Sequence, residues 1–199
     1  MVKNCFYLAS LVLLVVGCSS GGSAVVAPKI DPVEAAAAAI AEYDANSDGS
    51  ISSDEAKVSA LDPKFGWDAD GDGDISEQEI VDRLTMYEAL KPGINMMTCS
   101  VLYRGRPIQG ATVTFEPEGF LGDAIEVATG TTDIDGTAEM VAEEILAKDP
   151  TLRGIRAGLY KVRVTHPEVK ISPKYNEETT LFFELSPMDM IQPPVFRVK

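Results

Sequence analysis

The spacing of apolar side chains changes period near residue 95. Upstream of that point, apolar positions recur at helical intervals. Residues 31–43 hold the alanine run 35–39, with Ile40 and Tyr43 as its larger apolar contacts. Alanine is the best helix former. The opening Asp31-Pro32-Val33-Glu34 suits a helix start: Asp as cap, Pro in the first helical position, and Glu three residues on. A short helix is predicted over 54–60, broken by Asp62-Pro63. A longer one is predicted over 77–90, where Ile80, Leu84 and Tyr87 form a stripe widened by Val81 and Met86. Pro92-Gly93 closes it. The stripe reads as core or as a contact between domains.

Downstream the period becomes two. Val101 and Tyr103 share a face, and so do Ala111, Val113 and Phe115, with Thr112 and Thr114 opposite. Tyr160, Val162 and Val164 alternate with Lys161, Arg163 and Thr165; Leu181, Phe183 and Leu185 alternate with Phe182 and Glu184. Such alternation marks half-buried strands. Arg104-Gly105-Arg106-Pro107, Asp133-Ile134-Asp135-Gly136 and Asn176 supply the turns. About seven strands are predicted, near 97–103, 111–116, 124–131, 137–141, 159–165, 179–185 and 194–198. Their number and spacing suggest a β-sandwich. Residues 142–156 interrupt the alternation and read as a short inserted helix. The expected architecture is α+β in two domains: a small helical unit over 31–93, then a seven-stranded antiparallel β-sandwich over 95–199.

Charge adds a third feature. The chain has 199 residues and a formal net charge of −14, from 31 acidic and 17 basic residues. The acidic surplus gathers over 31–90, which reads as cation binding and solubility. No run of Lys and Arg exists, which argues against a nucleic-acid partner, because phosphate contacts need clustered cations.

Two stretches carry most of the surplus. Residues 44–55 read DANSDGSISSDE and residues 68–79 read DADGDGDISEQE. Both match a twelve-residue calcium loop, with oxygen ligands at positions 1, 3, 5, 7, 9 and 12 and Gly at 6. In the first loop these are Asp44, Asn46, Asp48, Ser50, Ser52 and Glu55, with Gly49. In the second they are Asp68, Asp70, Asp72, Asp74, Ser76 and Glu79, with Gly73. Ca²⁺ is a hard cation that takes six to eight oxygens, so the carboxylates must converge from one tight turn. Ile51 and Ile75, at position 8, suit a short strand bridge between the loops.

The tandem resembles the EF-hand family over both loops in full. The resemblance implies Ca²⁺ as the bound ion and those twelve residues as its ligands. The loops start 24 residues apart (68 − 44), which leaves at most about a turn of entering helix over 63–67. That is similar to the compact pairs of secreted bacterial proteins and leaves less helix to swing than a sensor-type opening uses.

The first 17 residues carry one Lys at position 3 and an apolar run over 6–16. The run is too short to span a membrane as a helix and fits a signal peptide. It ends Val15-Val16-Gly17-Cys18, followed by Ser19-Ser20-Gly21-Gly22-Ser23. This order resembles the leader and lipobox of bacterial lipoproteins. The resemblance implies a signal peptide over 1–17, lipidation of Cys18, a flexible tether over 18–30, and a membrane-anchored protein of the cell envelope facing the periplasm or the exterior. An ordinary cleaved signal with an incidental Cys is the alternative.

A further likeness lies in SVLYRGRPIQGATVTFEPEG (100–119), GTTDIDGTAEM (130–140), AGLYKVRVTHP (157–167) and SPKYNEETTLFFEL (172–185). These resemble the carboxypeptidase regulatory-like, or transthyretin-like, domain, which shares the Ig-like sandwich architecture. The resemblance covers nearly all of 98–199 and speaks to fold more than to function. It departs from the family pattern at 142–156, where the family has a brief turn.

The remaining chemistry is sparse. His166, the only His, reads as a strand-end surface residue. Transthyretin-like hydrolases need several converging His and Arg groups, which one His cannot supply. With Cys5, Cys18 and Cys99 no disulfide framework can be drawn. Cys99, on the face of Met97 and Val101, reads as a small buried apolar residue. No nucleophile elbow, P-loop or zinc motif is present. The expected function is therefore non-enzymatic: a Ca²⁺-binding envelope lipoprotein, held to the membrane through lipidated Cys18, whose sandwich is a structural or protein-binding module. Its expected partner is an envelope protein or polysaccharide. A carbohydrate-binding module, stacking sugars on Phe120, Tyr175 and Phe182, is the alternative; a hydrolase is more distant.

Overall fold

The Asp31 carboxylate opens the first helix by accepting the backbone N–H groups of Val33 and Glu34 at 3.0 and 3.2 Å, which satisfies two donors that have no partner inside the helix. The computed structural model describes residues 29–61, 66–188 and 192–199. The signal peptide, Cys18, most of the tether, the Asp62-Pro63 break and most of the predicted turn over 63–67 lie outside the described residues. Helix α1 (Pro32–Tyr43) buries Ala35, Ala36, Ala39 and Tyr43. Strand β1 (Ser50–Ser52) follows. The helix predicted over 54–60 is only a four-residue 3₁₀ helix, Glu55–Val58. Ser59 stops it: its hydroxyl donates to the Ala56 carbonyl and accepts from the Leu61 N–H, each at 3.1 Å, and such local bonds compete with helix continuation.

Strand β2 (Asp74–Ser76) runs straight into α2 (Glu77–Leu90) through a capping box between Ser76 and Glu79. The predicted stripe of Ile80, Leu84 and Tyr87 is buried. Met86 is exposed, and Arg83 takes its place on the buried face. The helical period explains the exchange, because positions 80, 83, 84 and 87 share one face.

Then come β3 (Ile94–Asn95), β4 (Met97–Tyr103), β5 (Arg106–Pro107), β6 (Thr112–Pro117), β7 (Ala128–Thr131), β8 (Thr137–Met140), α3 (Glu143–Lys148), β9 (Ile155–Arg156), β10 (Gly158–Thr165), β11 (Leu181–Leu185) and β12 (Val195–Val198). A 3₁₀ segment at Gly119–Ala124 delays β7 relative to the predicted start at 124. The fold is α+β, with few helices and mostly antiparallel strands. One sheet runs β11-β10-β6-β7; in the other, β4 pairs β12 on one side and β5 and β8 on the other. The β12–β4 pair is parallel, which corrects the all-antiparallel expectation. The chain crosses from one sheet to the other between β11 and β12, so β12 is not joined to its neighbour by a hairpin, the connection that would force antiparallel pairing.

Strand alternation assigns the two faces of the first sheet. On the inner face, the Phe115 ring lies 5.7, 5.3 and 6.0 Å, centroid to centroid, from Tyr160, Phe183 and Phe196. Phe196 sits on β12 of the other sheet, so this cluster joins the two. On the outer face, Lys161 pairs with Phe182 and Leu159 with Glu184. The helical segment lies against that outer face, where Lys161 reaches Glu42 and Trp67 reaches Glu184. Buried residues of α1, α2 and both sheets form one continuous apolar cluster.

Phe115 is fully buried at the centre of this cluster. Phe115→Ala should destabilise the protein by about 3–5 kcal/mol, read as a fall in the urea midpoint. An unchanged midpoint would mean that the sheets do not meet at this ring.

Candidate metal centre

The two acidic loops are built from the same local bonds. Asp44 Oδ1 accepts the N–H of Ser47 at 2.7 Å and Asp44 Oδ2 that of Gly49 at 2.9 Å. Glu55 reaches back over the loop: Oε1 accepts the N–H groups of Ala45 and Asn46 at 2.9 and 3.2 Å, and Oε2 accepts the Ser52 N–H and hydroxyl at 2.9 and 2.7 Å. The second loop repeats this. Asp68 accepts from Gly71 and Gly73 at 2.6 and 3.0 Å; Glu79 accepts from Ala69 at 2.7 Å, Asp70 at 3.3 Å, and the Ser76 N–H and hydroxyl at 2.8 Å each. Gly49 and Gly73 have φ of 94° and 99°, a conformation glycine adopts without steric cost. Position 8 joins the loops: β1 and β2 pair antiparallel with Ile51 opposite Ile75, and both side chains are fully buried.

The structure thus presents all twelve predicted loop residues, and it gathers some more closely than others. Asp68, Asp70 and Glu79 each offer an oxygen within 4.8 Å of the other two, a spacing that could hold one cation. Asp72 instead turns Oδ1 to the Asp74 N–H at 2.9 Å. In the first loop, Asp48 is bonded by the Asn46 amide at 2.8 Å and the Ser50 hydroxyl at 2.9 Å. These bonds, the Asn46 one foremost, hold the Asp48 carboxyl below its ordinary range. The Ser52 hydroxyl does the same for Glu55. Burial pushes Glu79 up, but the bonds from Ser76, Ala69 and Asp70 outweigh it and leave the carboxyl low. Asp74 is pushed up, first by desolvation and then by the carboxylates of Asp72, Asp48, Asp68 and Glu55. A cation would relieve that crowding.

Two further carboxylates matter that the strand pattern does not single out. Glu118 has no solvent exposure. It accepts from the Tyr43 hydroxyl at 2.7 Å and the Ala60 N–H at 2.7 Å, and it pairs with the Lys161 ammonium at 3.1 Å. Glu184, with its side chain 3% exposed, pairs with Arg83 at 2.8 Å and accepts from Trp67 Nε1 at 3.2 Å and from the Tyr87 hydroxyl. The Arg83 guanidinium stands 4.8 Å from the centre of the Trp67 ring. Burial, then the neighbouring Glu118 and Glu184 charges, push the Tyr43 and Tyr87 hydroxyls well above the usual phenol range. One signal was present in the sequence: Tyr43 and Trp67 each stand immediately before the first Asp of a loop.

The other candidates fall outside any site. The His166 ring closes a turn: Nε2 lies 2.9 Å from the Gln109 carbonyl, and Nδ1 accepts the N–H groups of Glu168 and Val169 at 3.0 Å. Tyr175 and Phe120 are buried and Phe182 is half-buried, so the three do not form an exposed platform. Among the described residues, no helix is long and apolar enough to cross a membrane. No protein-family model, curated protein or solved structure matches this chain.

Cys99 is buried, 3.6 Å from the Met140 sulfur, and burial pushes its thiol up to about 12. Burial therefore disfavours the reactive thiolate. Iodoacetamide at pH 8 should leave Cys99 unmodified in the folded protein and label it after unfolding, as read by peptide mapping. Rapid native labelling would contradict the burial.

Proposed function

We propose that this chain is a calcium-binding, lipid-anchored protein of the bacterial cell envelope. In this reading an EF-hand pair lies on the outer face of a transthyretin-like β-sandwich, and the sandwich is a structural or protein-binding module with no catalytic residue. The observation that carries the reading is the convergence of Asp68, Asp70 and Glu79, which are positions 1, 3 and 12 of a twelve-residue loop with glycine at position 6. The repetition of the same loop bonds around Asp44 and Glu55 supports a paired site. Two stacked four-stranded sheets sharing the Phe115 cluster support the sandwich. The order of Lys, apolar run, Gly17 and Cys18 supports the anchor. A lipoprotein-type diacylglycerol, with or without a third chain, would hold firmly, since one acyl chain binds only marginally and two give stable anchoring.

The chemistry of the donors suits calcium. Ca²⁺ takes oxygen ligands in a flexible shell, and Asp68, Asp70, Asp72 and Glu79 would supply carboxylates while position 7, Ser50 or Asp74, would supply its backbone carbonyl. The second loop should bind more tightly, because it has Asp70 where the first has Asn46. Affinities of ~10⁻⁴–10⁻³ M, as in extracellular modules, would serve outside the cytoplasm. Binding should also stabilise the fold, since the ion offsets the crowding of carboxylates in the bare loops.

Calorimetry on metal-free protein should give heat for two sites, with Glu79→Gln weakening the second and Glu55→Gln the first. Trp67 emission should follow occupancy of the second loop. An absence of heat at millimolar Ca²⁺, together with flat Trp67 emission, would sink the calcium reading. Independently, Cys18→Ser should move the protein from washed membranes to the soluble fraction. Undiminished retention would refute the anchor.

A further inference from the structure

Glu118 and Glu184 straddle a single residue of β10. Glu184 is the register partner of Leu159 in β11, and the Glu118 N–H donates to the Leu159 carbonyl at 3.0 Å from the other side. Apart from Lys161, which pairs with Glu118 from β10, the donors to each of these buried carboxylates come from residues that frame one acidic loop. For the first loop, Tyr43 stands immediately before Asp44, and Ala60 lies just beyond the 3₁₀ helix that begins at Glu55. For the second, Trp67 stands immediately before Asp68, and Arg83 and Tyr87 lie one and two turns along α2 from Glu79. Both the entry and the exit of each loop are thus tied to one carboxylate of the sheet.

We propose that Glu118 and Glu184 are positioning residues that couple the loops to the sheet, so that cation binding in a loop and docking of the helical segment on the outer face strengthen each other. This rests on the calcium reading above.

The coupling has a physical cause. Without an ion, the gathered carboxylates of a loop repel one another, and the loop relieves that repulsion by moving its two ends apart. Those ends carry Tyr43 and Ala60, or Trp67 and the start of α2. Moving them strips donors from a carboxylate that water does not reach. A buried charge deprived of its partners is strongly unfavourable, so the contacts at each carboxylate hold or fail as a set. Binding linkage is reciprocal. If the ion holds the loop ends in place for the carboxylate, then the carboxylate holds them in place for the ion. Neither Glu118 nor Glu184 lies in the calcium-loop pattern, and neither touches a ligand position, so any effect on affinity must pass through the loop ends.

The test is calcium calorimetry on the purified protein, with Glu55→Gln as background to isolate the second loop and Glu79→Gln to isolate the first. Glu184→Gln should weaken the second loop about 5-fold or more, at the lower end of typical coupling, and leave the first within about 2-fold. Glu118→Gln should do the converse. Tyr87→Phe keeps the buried ring and removes only the hydroxyl that donates to Glu184, and it should also weaken the second loop; it decides the matter if Glu184→Gln does not fold. Lower melting temperatures with unchanged calcium affinities would overturn the coupling and leave the two carboxylates with a merely structural role. Absence of calcium heat in the unsubstituted protein would instead overturn the calcium reading, and the coupling with it.

Discussion

A buried carboxylate dictates its surroundings. It loses hydration that several hydrogen bonds and a nearby cation must replace. Glu118 and Glu184 impose that condition twice on one face of the β11-β10-β6-β7 sheet. Lys161 and Arg83 supply the charges, and Tyr43, Ala60, Trp67 and Tyr87 supply the remaining donors. All of those donors except Lys161 come from the helical segment. The sheet therefore cannot satisfy its own acidic groups without that segment, and the segment has few other ways to cover Trp67 and the α2 stripe. Apolar contact brings the layers together, and the two carboxylates set the register in which they meet.

Local chemistry was the legible part of the chain. The Asp31 cap, the two glycine-centred loops and the alternation along β6 and β10 each depend on residues within a few positions of one another. What escaped depends on distant partners. Arg83 reads as a polar residue on α2 until Glu184, 101 positions away, is set beside it. Glu184 reads as an outward-facing strand residue until its face is covered. The parallel direction of β12 follows from a crossing between sheets that no turn motif announces. The 3₁₀ helix after the first loop is shorter than its composition suggests because the Ser59 hydroxyl takes over two backbone groups.

The candidate site divides in the same way. Candidate ligand positions are spaced by the loop itself, so the convergence of Asp68, Asp70 and Glu79 could be expected in advance. The support around them could not. Ile51 and Ile75 were legible as a bridge because they occupy equivalent places in a repeated motif. Tyr43 and Trp67 also occupy equivalent places, but the carboxylates they reach lie just beyond β6 and within β11, so repetition alone did not reveal their role.

The parallel pairing of β12 with β4 bears on how the chain folds. Ser100 is opposite Val195, 95 residues later (195 − 100). Contacts this distant in sequence form slowly, because a long loop must close before they contribute. Until β12 docks, β4 has β5 and β8 on one side and an open edge on the other. That edge, with Val101 and Cys99 beside it, is a ready template for a strand of another molecule. The acidic loops precede it in the chain. Their surplus of negative charge sits on every copy while the edge is bare, and like-charged copies repel one another. A segment that reads as a cation site in the finished protein can thus also keep unfinished molecules apart.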